Sequence, residues 1–190
     1  MKDGARGTGH AGDAAGLAAG VAGCGRVARA AGDTAAAGSG ARPPGIAARV
    51  VAEARAWIGT PYVHQASCLG AGADCLGLVR GIWRALYGHE PCDIPPYTPG
   101  WAEEGGDEDL LCAARVWLVP RALTDAAPGD VLVFRMRERG AARHLGVQSA
   151  CGADARFIHA CSGHAVAESA LSLPWVRRIA ARFSFPQEEV

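Results

Sequence analysis

The chain has 190 residues, a formal net charge of zero, and 49% hydrophobic against 20% charged side chains. That length holds one domain, or one domain and a tail, and the texture suits a soluble globular protein. The balanced charge argues for neither a nucleic-acid partner nor an anionic membrane, and no apolar run reaches the roughly 20 residues that cross a bilayer.

Residues 1–44 stand apart. They contain 25 Ala or Gly and no Phe, Trp or Tyr. So little large apolar surface cannot offset the entropy of ordering, and the segment reads as a flexible tail ahead of a domain over 45–190. Within it, Val21-Ala22-Gly23-Cys24 matches a lipobox behind Lys2 and Arg6. The stretch between holds Asp13 and one large aliphatic, Leu17, and is too polar for a signal peptide.

After Pro43-Pro44-Gly45, Ile46, Val50, Val51, Ala54 and Trp57 recur at helical spacing and predict a helix over 46–57 that ends near Gly59. Leu76, Val79, Ile82, Trp83 and Leu86 predict a second from about Asp74 to Tyr87, closed by Gly88. Four prolines make 88–101 an irregular loop. An acidic patch (Glu103, Glu104, Asp107, Glu108, Asp109) then leads into a short helix over 107–115. Past Pro128-Gly129 the period changes. Short apolar or alternating runs at 131–134, 145–148, 156–159, 165–167 and 179–185 predict antiparallel strands. Helices first and a meander after them make the domain α+β.

Seven cysteines with irregular spacing and no CxxC pair fit neither a disulfide framework nor a zinc ribbon. One has a distinctive setting. Asp74 is a good N-cap, which puts Cys75 at the first position of the second helix. There the helix dipole and unpaired N–H groups favour thiolate, and neighbouring N–H groups could serve an oxyanion. The competing reading is a small buried hydrophobe. A thiolate peptidase needs an imidazole partner and a group that orients it. His144 opens one strand run and His159 closes the next, so a hairpin would place them at neighbouring positions, with His159 holding the working tautomer of His144. For an isolated histidine, a satisfied or surface residue is the commoner reading. Cys151, His159, Cys161 and His164 crowd together, but their spacing matches no common structural zinc pattern.

Taken in order, Gly-Thr-Pro-Tyr (59–62), Asp-Cys-Leu-Gly-Leu-Val (74–79), Pro-Gly-Asp-Val-Leu-Val-Phe (128–134), His-Leu-Gly-Val (144–147) and Phe-Ile-His-Ala (157–160) resemble the NlpC/P60 cell-wall peptidases over about residues 46–185. Residues 59–67 with Arg-Gly-Ile-Trp-Arg (80–84) look most like the phage branch, which includes the peptidase of gene transfer agents. The resemblance implies a papain-like α+β fold, with N-terminal helices packed on an antiparallel sheet. It implies cysteine-peptidase hydrolysis of peptidoglycan stem peptides at a D-γ-glutamyl–diamino acid bond. Cys75 is then the nucleophile, His144 the base, His159 the orienting residue and Tyr62 a helper at the oxyanion site. No metal or cofactor is implied. The partners expected are stem peptides and phage-type tail proteins, with no nucleic acid and no membrane; the protein would be made in the cytoplasm and act from a tail in the periplasm. Leu76 stands where the family usually has Ser, and His144 and His159 are a few residues further apart than is usual. Two other classes compete: a silent tail-structural or wall-binding module, and an acyltransferase using the same Cys-His pair.

Overall fold

The computed structural model describes residues 45–98 and 108–187. The expected tail over 1–44, with Cys24, lies outside them, as do Glu103, Glu104 and Asp107 of the acidic patch. No helix among the described residues is long and apolar enough to cross a membrane.

Helix α1 (Ile46–Ala56) buries Val50, Val51 and Ala54, the stripe its spacing predicts. A short hairpin of β1 (Ser67–Cys68) and β2 (Gly72–Ala73) follows and delivers the chain to α2 (Cys75–Tyr87). Both ends of α2 are set locally. The Asp74 side chain accepts from the Gly77 N–H at 2.7 Å, and Gly88 takes the left-handed conformation (φ 91°) that ends a helix at low cost. Helix α3 (Asp109–Trp117) runs two residues past its expected end.

The second half is a six-stranded antiparallel sheet. Its strands are β3 (Val119–Arg121), β4 (Val131–Arg135), β5 (Ala142–Ala150), β6 (Arg156–His159), β7 (Ala167–Ala170) and β8 (Ile179–Ser184), in the order β3-β8-β4-β5-β6-β7. Alternation sorts its side chains onto two faces. Val131, Val133, Val147 and Phe183 join Val50, Ala54, Leu78 and Ile82 in one core beneath α1 and α2. Leu132, Phe134 and Phe157 form a smaller cluster on the other face with Leu171 and Trp175. Trp175 belongs to α4 (Leu173–Val176), a single turn between β7 and β8. Burying each of these large side chains contributes about 1.5–3 kcal/mol, so the sheet is held from both sides. The α+β architecture is the one expected.

The contact that seats α2 is tight. A Cβ at Gly77 would lie 1.8 Å from the Ala66 carbonyl oxygen, and Ser67 Oγ donates to the Gly77 carbonyl at 2.5 Å. Gly77→Ala would ordinarily favour a helix by up to about 1 kcal/mol. Here overpacking reverses the sign. The variant is expected to lose about 1–3 kcal/mol in denaturant unfolding; a more stable variant would mean that the 66–77 segment gives way freely.

Candidate active site

Asp74 organises the entrance to α2. Its Oδ1 caps the helix, while Oδ2 accepts the Gln65 N–H at 2.7 Å and the Tyr97 hydroxyl at 2.5 Å. Gln65 has φ 63°, a left-handed conformation unusual for a residue with a side chain, and the bond to Asp74 helps to fix it. Tyr97 brings in the loop after α2. Its carbonyl faces His64 Nε2 at 2.8 Å and accepts from the Gln65 side chain. The base of that loop is tied by Glu90, which takes the guanidinium groups of Arg80 and Arg84.

Cys75 therefore sits at a well-defined helix start, half-buried, with the backbone N–H groups of Leu76 and Leu145 directed at its sulfur. Leu145 is the residue after His144, so the thiol lies against the opening of β5. In one respect the sequence expectation is corrected. Burial, reinforced by the Asp74 carboxylate, pushes the thiol up to about 12, and the N–H groups only partly oppose this. The helix terminus is a local effect; desolvation by the packed sheet is not, and it wins. The resting group is a thiol.

The two histidines meet as expected. β5 pairs with β6 in the register Val147↔Ile158, and continuing it sets His159 opposite Gly146, diagonal to His144 on the same face. His144 Nε2 lies 2.9 Å from His159 Nδ1, and His159 Nε2 lies 3.1 Å from Ser169 Oγ on β7. A one-way proton chain fits these distances. His159 donates from Nε2 to Ser169, its Nδ1 accepts from His144 Nε2–H, and His144 Nδ1 keeps its lone pair. Trp175 covers both rings, with centroids 5.9 Å from His144 and 5.2 Å from His159, and Phe157 stacks on His159 at 4.3 Å. Burial in this aromatic box, with His159 adding to it, depresses His144 to about 3; burial alone depresses His159 to about 4. Both rings are neutral near pH 7.

Tyr62 is half-buried, its backbone bridged to Ala73. Burial, followed by Asp74, Cys75 and Cys161, raises its phenol above the usual range, which places it in the same cluster. Cys151, His159, Cys161 and His164, which crowd together in the sequence, do not form one cluster in the fold. His164 is exposed and faces the Ser162 carbonyl, and Cys151 accepts from Gln148 Nε2 at 3.2 Å. Cys161 instead lies 3.2 Å from His159 Nδ1. Ser169, Trp175 and Tyr97 escaped the sequence reading. Only the Ser172-Leu173-Pro174 start of α4 carried a local signal, and nothing in it said what Trp175 would cover.

The buried neutral histidines link stability to pH. Each has a folded pKa below its ordinary 6.5, so the unfolded chain binds protons first as pH falls. Their contribution is intact above 6.5 and is lost on the way down to about 4 for His159 and about 3 for His144. The slope is at most about 1.4 kcal/mol per pH unit per group. In chelator-containing buffer, His159→Asn is expected to show a shallower decline of melting temperature between pH 6.5 and 4 than wild type. Equal slopes would mean that His159 is hydrated.

No family model matches the chain. It is 31% identical over 125 residues to the gamma-DL-glutamyl hydrolase of Bacillus subtilis (strain 168), which covers 65% of this chain and 25% of that protein. The chain thus spans about a quarter of the curated relative it matches. Among solved structures it superposes on an NLP/P60 family protein similar to a lipoprotein from Staphylococcus aureus (TM-score 0.51, 16% identity, 75% of this chain and 42% of that one). An NlpC/P60 family protein from Bacillus cereus gives TM-score 0.51 at 18% identity, over 75% of this chain and 41% of that one. NlpC2 from Trichomonas vaginalis gives 0.51 at 19%, over 77% and 49%. With helices ahead of an antiparallel sheet and these structural neighbours, the chain has the papain-like NlpC/P60 fold.

Proposed function

We propose that this chain is a cysteine peptidase that hydrolyses the peptide stems of peptidoglycan. The observation that carries the reading is the convergence of a helix-start thiol on the strand that bears His144, with His159 and Ser169 lined up behind that imidazole. In the reaction, His144 Nδ1 takes the Cys75 proton as the sulfur attacks the carbonyl carbon. In this reading the Leu76 N–H turns from the sulfur to the developing oxyanion, with Tyr62 as its helper. The amine leaves with the proton from His144, and water, deprotonated by the same ring, hydrolyses the thioester and restores the thiol. His159 accepts from Nε2–H throughout and stabilises the imidazolium that forms.

The bond proposed is D-γ-glutamyl–diamino acid. The name of the Bacillus subtilis relative, a gamma-DL-glutamyl hydrolase, supports γ-glutamyl chemistry. The proposed setting is a phage or gene-transfer-agent tail acting in the periplasm, with residues 45–190 as the catalytic unit; its support is the motif pattern at 59–67 and 80–84. Purified muropeptides, incubated with the chain and resolved by mass spectrometry, test the reading. A hydrolase yields free amino termini, an acyltransferase yields new conjugates, and a silent binding module yields neither.

A further inference from the structure

Three soft or borderline donors converge where β5 opens and β6 ends. His144 Nε2 and His159 Nδ1 are 2.9 Å apart, and Cys161 Sγ lies 3.2 Å from His159 Nδ1 and 4.0 Å from His144 Nε2. All three atoms fall within 4.8 Å of one another. A tetrahedral zinc ion, with nitrogen at about 2.0–2.1 Å and sulfur at about 2.3 Å, sets nitrogens roughly 3.3 Å apart and nitrogen from sulfur roughly 3.6 Å. Each observed edge is within about half an ångström of those values. Two of the donors stand on paired strands of one sheet, so little ordering remains to be done. His159 keeps its other ring nitrogen on Ser169 Oγ at 3.1 Å, the kind of outer partner that fixes a metal-ligating histidine.

We infer that His144 Nε2, His159 Nδ1 and the Cys161 thiolate form a site for one thiophilic divalent cation, Zn²⁺ or its analogue Co²⁺, and that filling it switches hydrolysis off. The donor set suits such ions and not Mg²⁺ or Ca²⁺, and three protein ligands leave a fourth position for water. The switch, which rests on the peptidase reading above, follows from the lone pairs of one ring. To act as base through Nδ1, neutral His144 must carry its proton on Nε2. To hold a metal through Nε2, it must carry that proton on Nδ1. It cannot do both. Loading therefore moves the His144 proton across the ring, releases the Cys161 thiol proton to solvent, and leaves Cys75 without a base.

The test uses the full chain, reduced and freed of metal, titrated anaerobically with Co²⁺ and followed by absorbance. Saturation at one equivalent with a thiolate-to-cobalt charge-transfer band is expected. Cys161→Ser should remove that band, whereas Cys75→Ala and Cys112→Ser should keep it. A band that survives Cys161→Ser, that vanishes with Cys75→Ala, or that never saturates at one equivalent overturns the site. For the switch, Zn²⁺ should inhibit muropeptide hydrolysis by wild type at a concentration at least tenfold lower than it inhibits Cys161→Ser, each relative to its own metal-free rate. Equal sensitivity overturns the switch. Cobalt binding needs no turnover, so a chain that gives the band and hydrolyses nothing keeps the site and sinks the peptidase reading together with the switch.

Discussion

Cys75→Ala is expected to bring hydrolysis of purified muropeptides down to the uncatalysed background while the melting temperature stays within about 4 °C of wild type. The two halves of that expectation have separate causes. Without the sulfur there is no atom to form the acyl-enzyme, and no other described thiol stands at a helix start facing the opening of β5. The fold tolerates the change because alanine suits the first turn of α2 and the Asp74 cap is untouched. What is lost is the sulfur as acceptor for the Leu76 and Leu145 N–H groups, worth about 1 kcal/mol. Cys151→Ser, which keeps an acceptor for Gln148 Nε2, should be close to silent in both assays. Near-wild-type turnover by Cys75→Ala would sink the mechanism; a fall of more than 10 °C would mean that the variant reports on folding and cannot speak to chemistry.

How far the sequence could be read depended on whether the cause of a feature was local. The bounds of α2 are legible because an Asp cap and a left-handed Gly lie at its two ends. Strand β6 is legible because Phe157 and Ile158 are apolar beside a charged Arg156, and it is found at the residues expected. Strand β3 is not: it has three residues, contains Pro120 at the sheet edge, and exists because it pairs with β8, more than sixty positions away. Strand β7, expected at 165–167, lies at Ala167–Ala170, since its polar sequence has no alternation and its place is dictated by pairing with β6.

The same division runs through the site. Cys75, His144 and His159 could be nominated from residue type and from their positions at element ends. Ser169 and Trp175 could not, because each matters only through the sheet that carries it to the histidines. The direction of the Cys75 shift fails for the same reason. A helix dipole is written in the chain next to the cysteine, whereas the burial that outweighs it is built by strands seventy residues further on. Neutral Cys75 beside neutral His144 also changes what the histidine must do. On the proposed mechanism it is no standing counter-ion to a thiolate and takes the proton during attack.

That requirement separates the two histidines by severity. On the proposed mechanism His144→Ala removes the base that takes the thiol proton, and a positioned general base contributes about 10²–10⁴-fold. With the thiol held protonated by burial, the loss should lie at the upper end, on kcat more than on KM. On the same mechanism His159 acts through His144 and not directly on the Cys75 sulfur. In the proton chain that fits the distances, His159 Nδ1, 2.9 Å from His144 Nε2, accepts from that N–H and so fixes which His144 nitrogen carries the lone pair. His159→Ala strands that buried N–H, a penalty of about 1–3 kcal/mol or roughly 5–150-fold. His159→Asn offers an amide oxygen at a similar place and should recover much of that loss, which a purely structural role for the ring would not explain. Ser169→Ala, one bond further out, should cost less than His159→Ala. The expected order of kcat is therefore wild type, then Ser169→Ala and His159→Asn, then His159→Ala, then His144→Ala. A His159→Ala enzyme slower than His144→Ala would exchange the two roles, and negligible losses in both would remove the pair from the reaction.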